Sequence, residues 1–221
     1  TANEKKLIAV VDHTFLFTGA VRKIKQIVES GEIGDITYFD SVRVNLGLFQ
    51  HDLNVIWDLA CHDLSILFHI MDERPNFVTA NGVDHFDSGY VDVAYLTLHY
   101  DIKMIANFHV NWLSPVKVRK ILIGGTKKMI VYDDISENKI SIYDKGIDRM
   151  AVLGENMDFD ESSSIYFNHR SGDAIIPDIN WQEPLKTEIE HFVDCIKNSA
   201  SCLTDAKHAE KVVNILSASK K

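Results

Sequence analysis

The sequence predicts an α+β domain: an open, predominantly antiparallel β-sheet with helices on one face. Three observations carry that reading. Apolar residues recur at helical spacing in two early stretches, Phe17–Ser30 and Asn54–Met71. From Phe77 to Tyr143 they alternate with polar residues, in segments joined by short turns. Two more stretches of helical spacing close the chain, and no repeat or long linker divides it.

A length of 221 residues suffices for a sizeable core. The formal net charge of −9 excludes a general nucleic-acid binder, which needs clustered cations, and Lys127–Lys128 and Lys220–Lys221 are too short for that. No apolar run reaches the roughly 18 residues that span a bilayer, so no membrane association is expected. The three cysteines, Cys61, Cys195 and Cys202, are widely spaced. They read as free thiols in a reducing cytoplasm rather than as a disulfide framework. The chain opens at Thr1 with no initiator Met and enters an apolar run within a few residues, which reads as the middle of something: either processing removed a leader or this is a piece of a longer protein.

Taken in order, Leu7–Val11 is a continuous apolar run that reads as a buried strand. Val21, Ile24, Ile27 and Val28 mark a helix that Gly31 stops. Gly31–Asp35 is a turn and Ile36–Asn45 a strand, and Asp52 or Asn54 can cap the next helix. Strands are expected at Phe77–Val83, Val91–Tyr100, Ile102–Trp112, Val116–Ile123, Met129–Tyr132 and Lys139–Tyr143, with Ser114-Pro115 as a turn. Gly146–Asn180, rich in Gly, Asp, Ser and Asn, resists assignment apart from a strand at Ser164–His169. Pro184 suits the first turn of a helix carrying Leu185, Ile189, Phe192, Val193 and Ile196, and Thr204-Asp205 can cap a last helix.

Ionisable groups interrupt the apolar pattern of Asn54–Met71, chiefly Asp58, His62 and Asp63. Asp58 and His62 stand four apart and share a helix face. Such a pair is either a satisfied structural contact or a carboxylate that fixes an imidazole for proton transfer. Lys117 and Arg119 alternate on one strand face, which suits an anionic ligand or simply a solvated face. Arg43 and Asn45 share a strand face with the same two readings. No metal site is expected: ten histidines form no H-x-x-x-H frame, and there is no C-x-x-C. Gly124-Gly125 lies between strands and opens no helix, so it is not a dinucleotide fingerprint.

The stretches Val11–Phe17, Val28–Ile36, Arg43–Gly47, Trp57–Asp63, Asn111–Arg119, Ile123–Asp134 and Glu183–Phe192 resemble, in order, the C-terminal part of the glucose–fructose oxidoreductase / inositol dehydrogenase family (Gfo/Idh/MocA). Its members are NAD(P)-dependent sugar oxidoreductases, and the flavour is that of members acting on nucleotide-activated amino sugars. The resemblance implies that residues 1–34 are the end of a Rossmann domain, with Leu7–Val11 its last strand. It implies that residues 35–221 are the substrate and oligomerisation domain, assembling through its sheet face into a homo-oligomer. It also implies that His62 takes a proton from a sugar hydroxyl as hydride leaves for NAD or NADP, that Asp58 tunes it, and that Arg43, Asn45, Lys117 and Arg119 meet a sugar or nucleotide-sugar. The family's Gly-rich loop and E-K-P lysine have no counterpart here. Cofactor-binding residues therefore stay unknown, and this chain alone is expected to be inactive. The alternative is a non-catalytic dimerisation or ligand-binding domain of the same fold.

Overall fold

A computed structural model describes residues 4–5, 7–47, 49–150, 166–198 and 200–219. After a single 3₁₀ turn at Thr14–Phe17 comes helix α1, Gly19–Glu29, capped by the Thr18 side chain, which accepts from the Val21 N–H. Strand β1, Ile36–Leu46, leads to a π-helical turn at Ile56–Ala60 that runs directly into α2, Cys61–Ile70. Strands β2 (Phe77–Val83), β3 (Val93–His99), β4 (Ile105–Asn111), β5 (Leu113–Gly125), β6 (Met129–Asp133) and β7 (Ile140–Tyr143) follow. Strands β8 (Gly146–Met150) and β9 (Tyr166–Arg170) form a separate two-stranded ribbon, and β10 (Ala174–Ile175) adds an edge. Helices α3, Pro184–Asn198, and α4, Ala206–Ala218, close the chain.

The main sheet has eight strands in the order β10-β7-β6-β5-β1-β4-β3-β2, antiparallel at every step except β1 against β4. One face is buried under the helices: Phe39 on β1, Leu96 and Leu98 on β3, Phe108 on β4, Ile121 and Ile123 on β5, and Ile130 and Tyr132 on β6. These pack on Ile24 and Ile27 of α1, Leu64 and Leu67 of α2, and Val212 and Leu216 of α4 in one cluster. Burying one face of each strand is what makes alternation and register specific. Among the described residues no helix covers the opposite face, on which Val42, Leu122 and Val131 are partly buried and Tyr95 is exposed.

Three expectations change. Leu7–Val11 is not a strand. Among the described residues its only ladder contact is a bridge between Val10 and Asp205, and Leu7 is 62% exposed. None of the described strands flanks the run. The turn expected at Ser114-Pro115 lies inside β5 instead, in the irregular stretch between the Val44–Val118 and Leu46–Leu113 pairs. A bulged stretch does not need the ladder N–H that Pro115 lacks. Strands β8 and β10 arise from the segment that resisted assignment. Of Ser164–His169, the part from Tyr166 is β9, and Ser164 and Ile165 lie outside the described residues, as do Thr1 and Lys220–Lys221. Among the described residues no helix is long and apolar enough to cross a membrane.

Candidate active site

The site forms where the start of α2 meets the helix-facing side of β1 and β5. Asn54 places the turn. Its carboxamide oxygen accepts from the N–H groups of Ile56 and Trp57, satisfying donors that a helix start leaves open. The chain then makes the wide π turn, a device often found at functional sites.

Asp58 and His62 do not bond to each other. The Asp58 carboxylate instead accepts from the indole N–H of the buried Trp112, at 2.8 Å. No sequence pattern shows this partner, because 54 residues separate the two. The His62 ring is half-buried with Phe15 edge-on, ring centres 5.3 Å apart. Burial, reinforced by the cationic Arg43, lowers His62 to about 4 against the opposing pull of Asp63 and Asp58. The imidazole is therefore neutral at neutral pH, with a lone pair free to accept a proton.

The buried carboxylate is its neighbour, Asp63, 2% exposed. Asp63 Oδ2 accepts from Ser41 Oγ at 2.6 Å and from Arg43 Nε at 3.0 Å, and Oδ1 accepts from an Arg43 Nη at 2.6 Å. This two-pronged pairing fixes the guanidinium. Burial opposes its charge, but Asp63 more than compensates, leaving Arg43 more firmly protonated than an ordinary arginine. Arg43 thus points at α2, 2% exposed, and holds the base of the site rather than reaching outward. Its guanidinium also lies 4.5 Å from the Phe15 ring centre.

Arg43 is paired directly across the ladder with Arg119. Arg119 Nη1 lies 3.4 Å from Asp134 Oδ2, and Tyr132 Oη donates to Asp134 Oδ1 at 3.1 Å. Arg119 Nε is a buried donor without a hydrogen-bond partner among the described residues. A buried N–H of this kind costs free energy unless something accepts from it, so it marks where a polar ligand group fits. Lys117 is exposed further along β5. Arg43 and Asn45 do not share a regular face, since Arg43 and Val44 are both buried and the ladder is irregular beyond Val44. Asn45 sits half-buried, its amide facing Gly47.

Sequence reasoning missed Phe15, the ring at which His62, Arg43 and Arg119 converge, and the Asp63 and Asp134 carboxylates. The only signals were the break that Asp63 makes in an apolar helix face and the unusual density of rings in Thr14–Phe17. The largest cleft described, about 700 Å³, is elsewhere, lined by Ile70, Met71 and Asp72 at the far end of α2 and by Gly34 and Asp35. His62 and Arg119, both half-buried, form a shelf with Phe15 between them.

The side chains of Thr18, Asn54, Glu183 and Asp205 each accept from an amide in the first turn of a helical segment.

The open, mostly antiparallel sheet with a helical layer on one face defines the class of the chain as an α+β fold. Residues 21–131 match the family model of the GFO/IDH/MocA C-terminal domain. The chain belongs to the GFO/IDH/MocA family. The sequence has no significant match among curated proteins. Among solved structures it is similar to a protein classed as an oxidoreductase from Magnetospirillum magnetotacticum MS-1, with TM-score 0.78, 20% identity, 99% of this chain and 65% of that one covered. It is similar to UDP-N-acetylglucosamine 3-dehydrogenase GnnA from Acidithiobacillus ferrooxidans, with TM-score 0.73, 20% identity, 98% of this chain and 62% of that one covered. It is also similar to an NAD binding oxidoreductase from Klebsiella pneumoniae, with TM-score 0.73, 15% identity, 99% of this chain and 65% of that one covered. At such identities the likeness is one of fold, and the chain spans under two thirds of the length of these proteins.

Proposed function

We propose that this chain is the substrate-binding part of an NAD(P)-dependent oxidoreductase that oxidises a hydroxyl group of a sugar or UDP-sugar. The observation that carries the reading is the neutral, half-buried His62 imidazole on a shelf shared with the unpaired Arg119 Nε. His62 accepts the hydroxyl proton. Arg119, with Lys117 beyond it, donates to an oxygen of the sugar or its phosphates, and Asn45 lies at the rim. Arg43 and Asp63 hold His62 and Phe15 in place, and Asp58, fixed by Trp112, sets the turn from which His62 projects. Oxidation also removes a hydride from the carbinol carbon, for which a nicotinamide is the acceptor. The similarity to a UDP-N-acetylglucosamine 3-dehydrogenase supports the substrate class.

In this reading residues 1–34 end a nucleotide-binding domain and residues 35–221 form the substrate domain. The uncovered sheet face, with Tyr95, Val42, Leu122 and Val131, joins a second copy of the chain. A monomer in sedimentation at micromolar concentration refutes that assembly. The second reading is a ligand-binding domain of the same fold without chemistry.

The test incubates the whole polypeptide of which this chain forms part with UDP-N-acetylglucosamine and a panel of free sugars. NAD or NADP is supplied, and reduced nicotinamide and keto-sugar are followed by absorbance and mass spectrometry. Reduced cofactor appearing with a keto-sugar supports the proposal. Saturable sugar-nucleotide binding with no turnover on any substrate supports the second reading instead.

A further inference from the structure

Away from the shelf, His191, Cys195 and Cys202 bring one ligand atom each to a common point, all within 4.8 Å of one another. His191 and Cys195 are one turn apart on α3, and Cys202 comes from the connection to α4. We propose that these three side chains bind a zinc ion, with Nε2 of His191 and Sγ of Cys195 and Cys202 as ligands and a water in the fourth position.

The geometry fits. With Zn–S of about 2.3 Å and Zn–N of about 2.0–2.1 Å, a tetrahedral angle places sulfur and nitrogen roughly 3.5 Å apart. The Cys195 Sγ to His191 Nε2 separation is 3.5 Å. The nitrogen is also in the state that zinc needs. Nε2 accepts from the Leu203 N–H at 3.0 Å, so it carries a lone pair and the ring proton resides on Nδ1. Zinc binding would displace that amide from Nε2.

Charge favours a divalent ion. Cys195 is fully buried, so a net charge left there is costly. Zn²⁺ with two thiolates and a neutral imidazole sums to zero, and both ligand types suit this borderline-soft ion. Binding replaces two S–H bonds by two Zn–S bonds and releases two protons; no electron moves. Each thiol must lose its proton to ligate. Apparent zinc affinity therefore rises with pH, by up to about 100-fold per unit while both protons are being released.

The ion would staple α3 to the start of α4. His191 also packs on Phe17, ring centres 5.5 Å apart, in the same 3₁₀ turn that supplies Phe15 to the shelf.

The experiment titrates the purified, phosphine-reduced protein with Zn²⁺ against a chromogenic chelator, and with Co²⁺ by absorbance. Cys195→Ser, Cys202→Ser and, as control, Cys61→Ser are compared, with circular dichroism checking their fold. Wild type and C61S should take up one zinc per chain, show thiolate-to-cobalt charge-transfer absorption, and melt at a temperature that zinc raises and EDTA lowers. C202S should bind at least about 100-fold more weakly, a larger loss than most outer-shell changes cause. No stoichiometric uptake by wild type overturns the proposal, whatever the variants do. So does equal uptake by C202S, or a Cys195–Cys202 disulfide in peptide mapping of protein that takes up no zinc after reduction.

Discussion

Replacing Asp63 by Ala tests the polar clamp beneath the shelf. The substitution leaves the Arg43 guanidinium, 2% exposed, without the carboxylate that accepts from its Nε and an Nη, and leaves Ser41 Oγ without an acceptor. Removing one member of a buried ion pair costs about 3–5 kcal/mol, because the remaining charge stays buried and unmet. At about 2–4 °C per kcal/mol for a domain of this size, the melting temperature falls by roughly 6–20 °C. Arg43→Met in the same chain removes the orphaned charge, and the double variant should recover at least about 1 kcal/mol of the loss in urea denaturation. A single-variant loss below about 1 kcal/mol would refute the clamp, since that is what an exposed pair contributes. Strict additivity of the two substitutions would refute the coupling on which it rests.

Trp112→Phe removes the indole N–H from Asp58 and should cost about 1–3 kcal/mol in urea denaturation, as for a polar group left without its partner; an unchanged midpoint contradicts the pairing. Acid should destabilise the fold between about pH 6.5 and 4. Burial lowers His62, His69 and His208 to about 4, so in that range the unfolded chain binds the extra protons. Each histidine adds stability that is complete above the unfolded value of about 6.5 and declines by up to about 1.4 kcal/mol per unit as pH falls. Glu188, raised by burial to about 7, works in the opposite sense, losing its contribution as pH rises through that value, but it is one group against three. Unfolding midpoints flat from pH 7 to 4.5 would contradict this balance. Arg119→Gln should raise KM for a UDP-sugar by roughly 10- to 100-fold with little change in kcat, the loss of a charge-assisted hydrogen bond; an unchanged KM removes Arg119 from the binding site.

The strand run was legible because a single physical fact dictates it. Among the described residues helices cover one face of the sheet, so Phe77–Val83 and its successors alternate, and β2 carries the predicted bounds. Caps were legible for the same local reason: Asn54 and Asp205 each accept from amides two or three residues on. Leu7–Val11 forms no strand among the described residues beyond the bridge from Val10 to Asp205, because none of the described strands lies beside it. The bond that Asp58 makes was not legible, because helical spacing shows which side chains share a face, whereas the partner each one finds depends on what folds against that face. Trp112 reached Asp58 from β4's far end, and Ser41 and Arg43 reached Asp63 from β1. The His191–Cys195 pair was legible at one-turn spacing, but Cys202 joins it only through the path of the chain beyond α3.

The most direct test of the central claim is the turnover of a His62→Gln variant in the whole polypeptide, with a UDP-sugar and its nicotinamide cofactor. The account predicts a kcat lower by about 10²–10⁴-fold, the contribution of a positioned base, with KM within a few-fold of wild type. A kcat equal to that of wild type would mean that His62 is not the base.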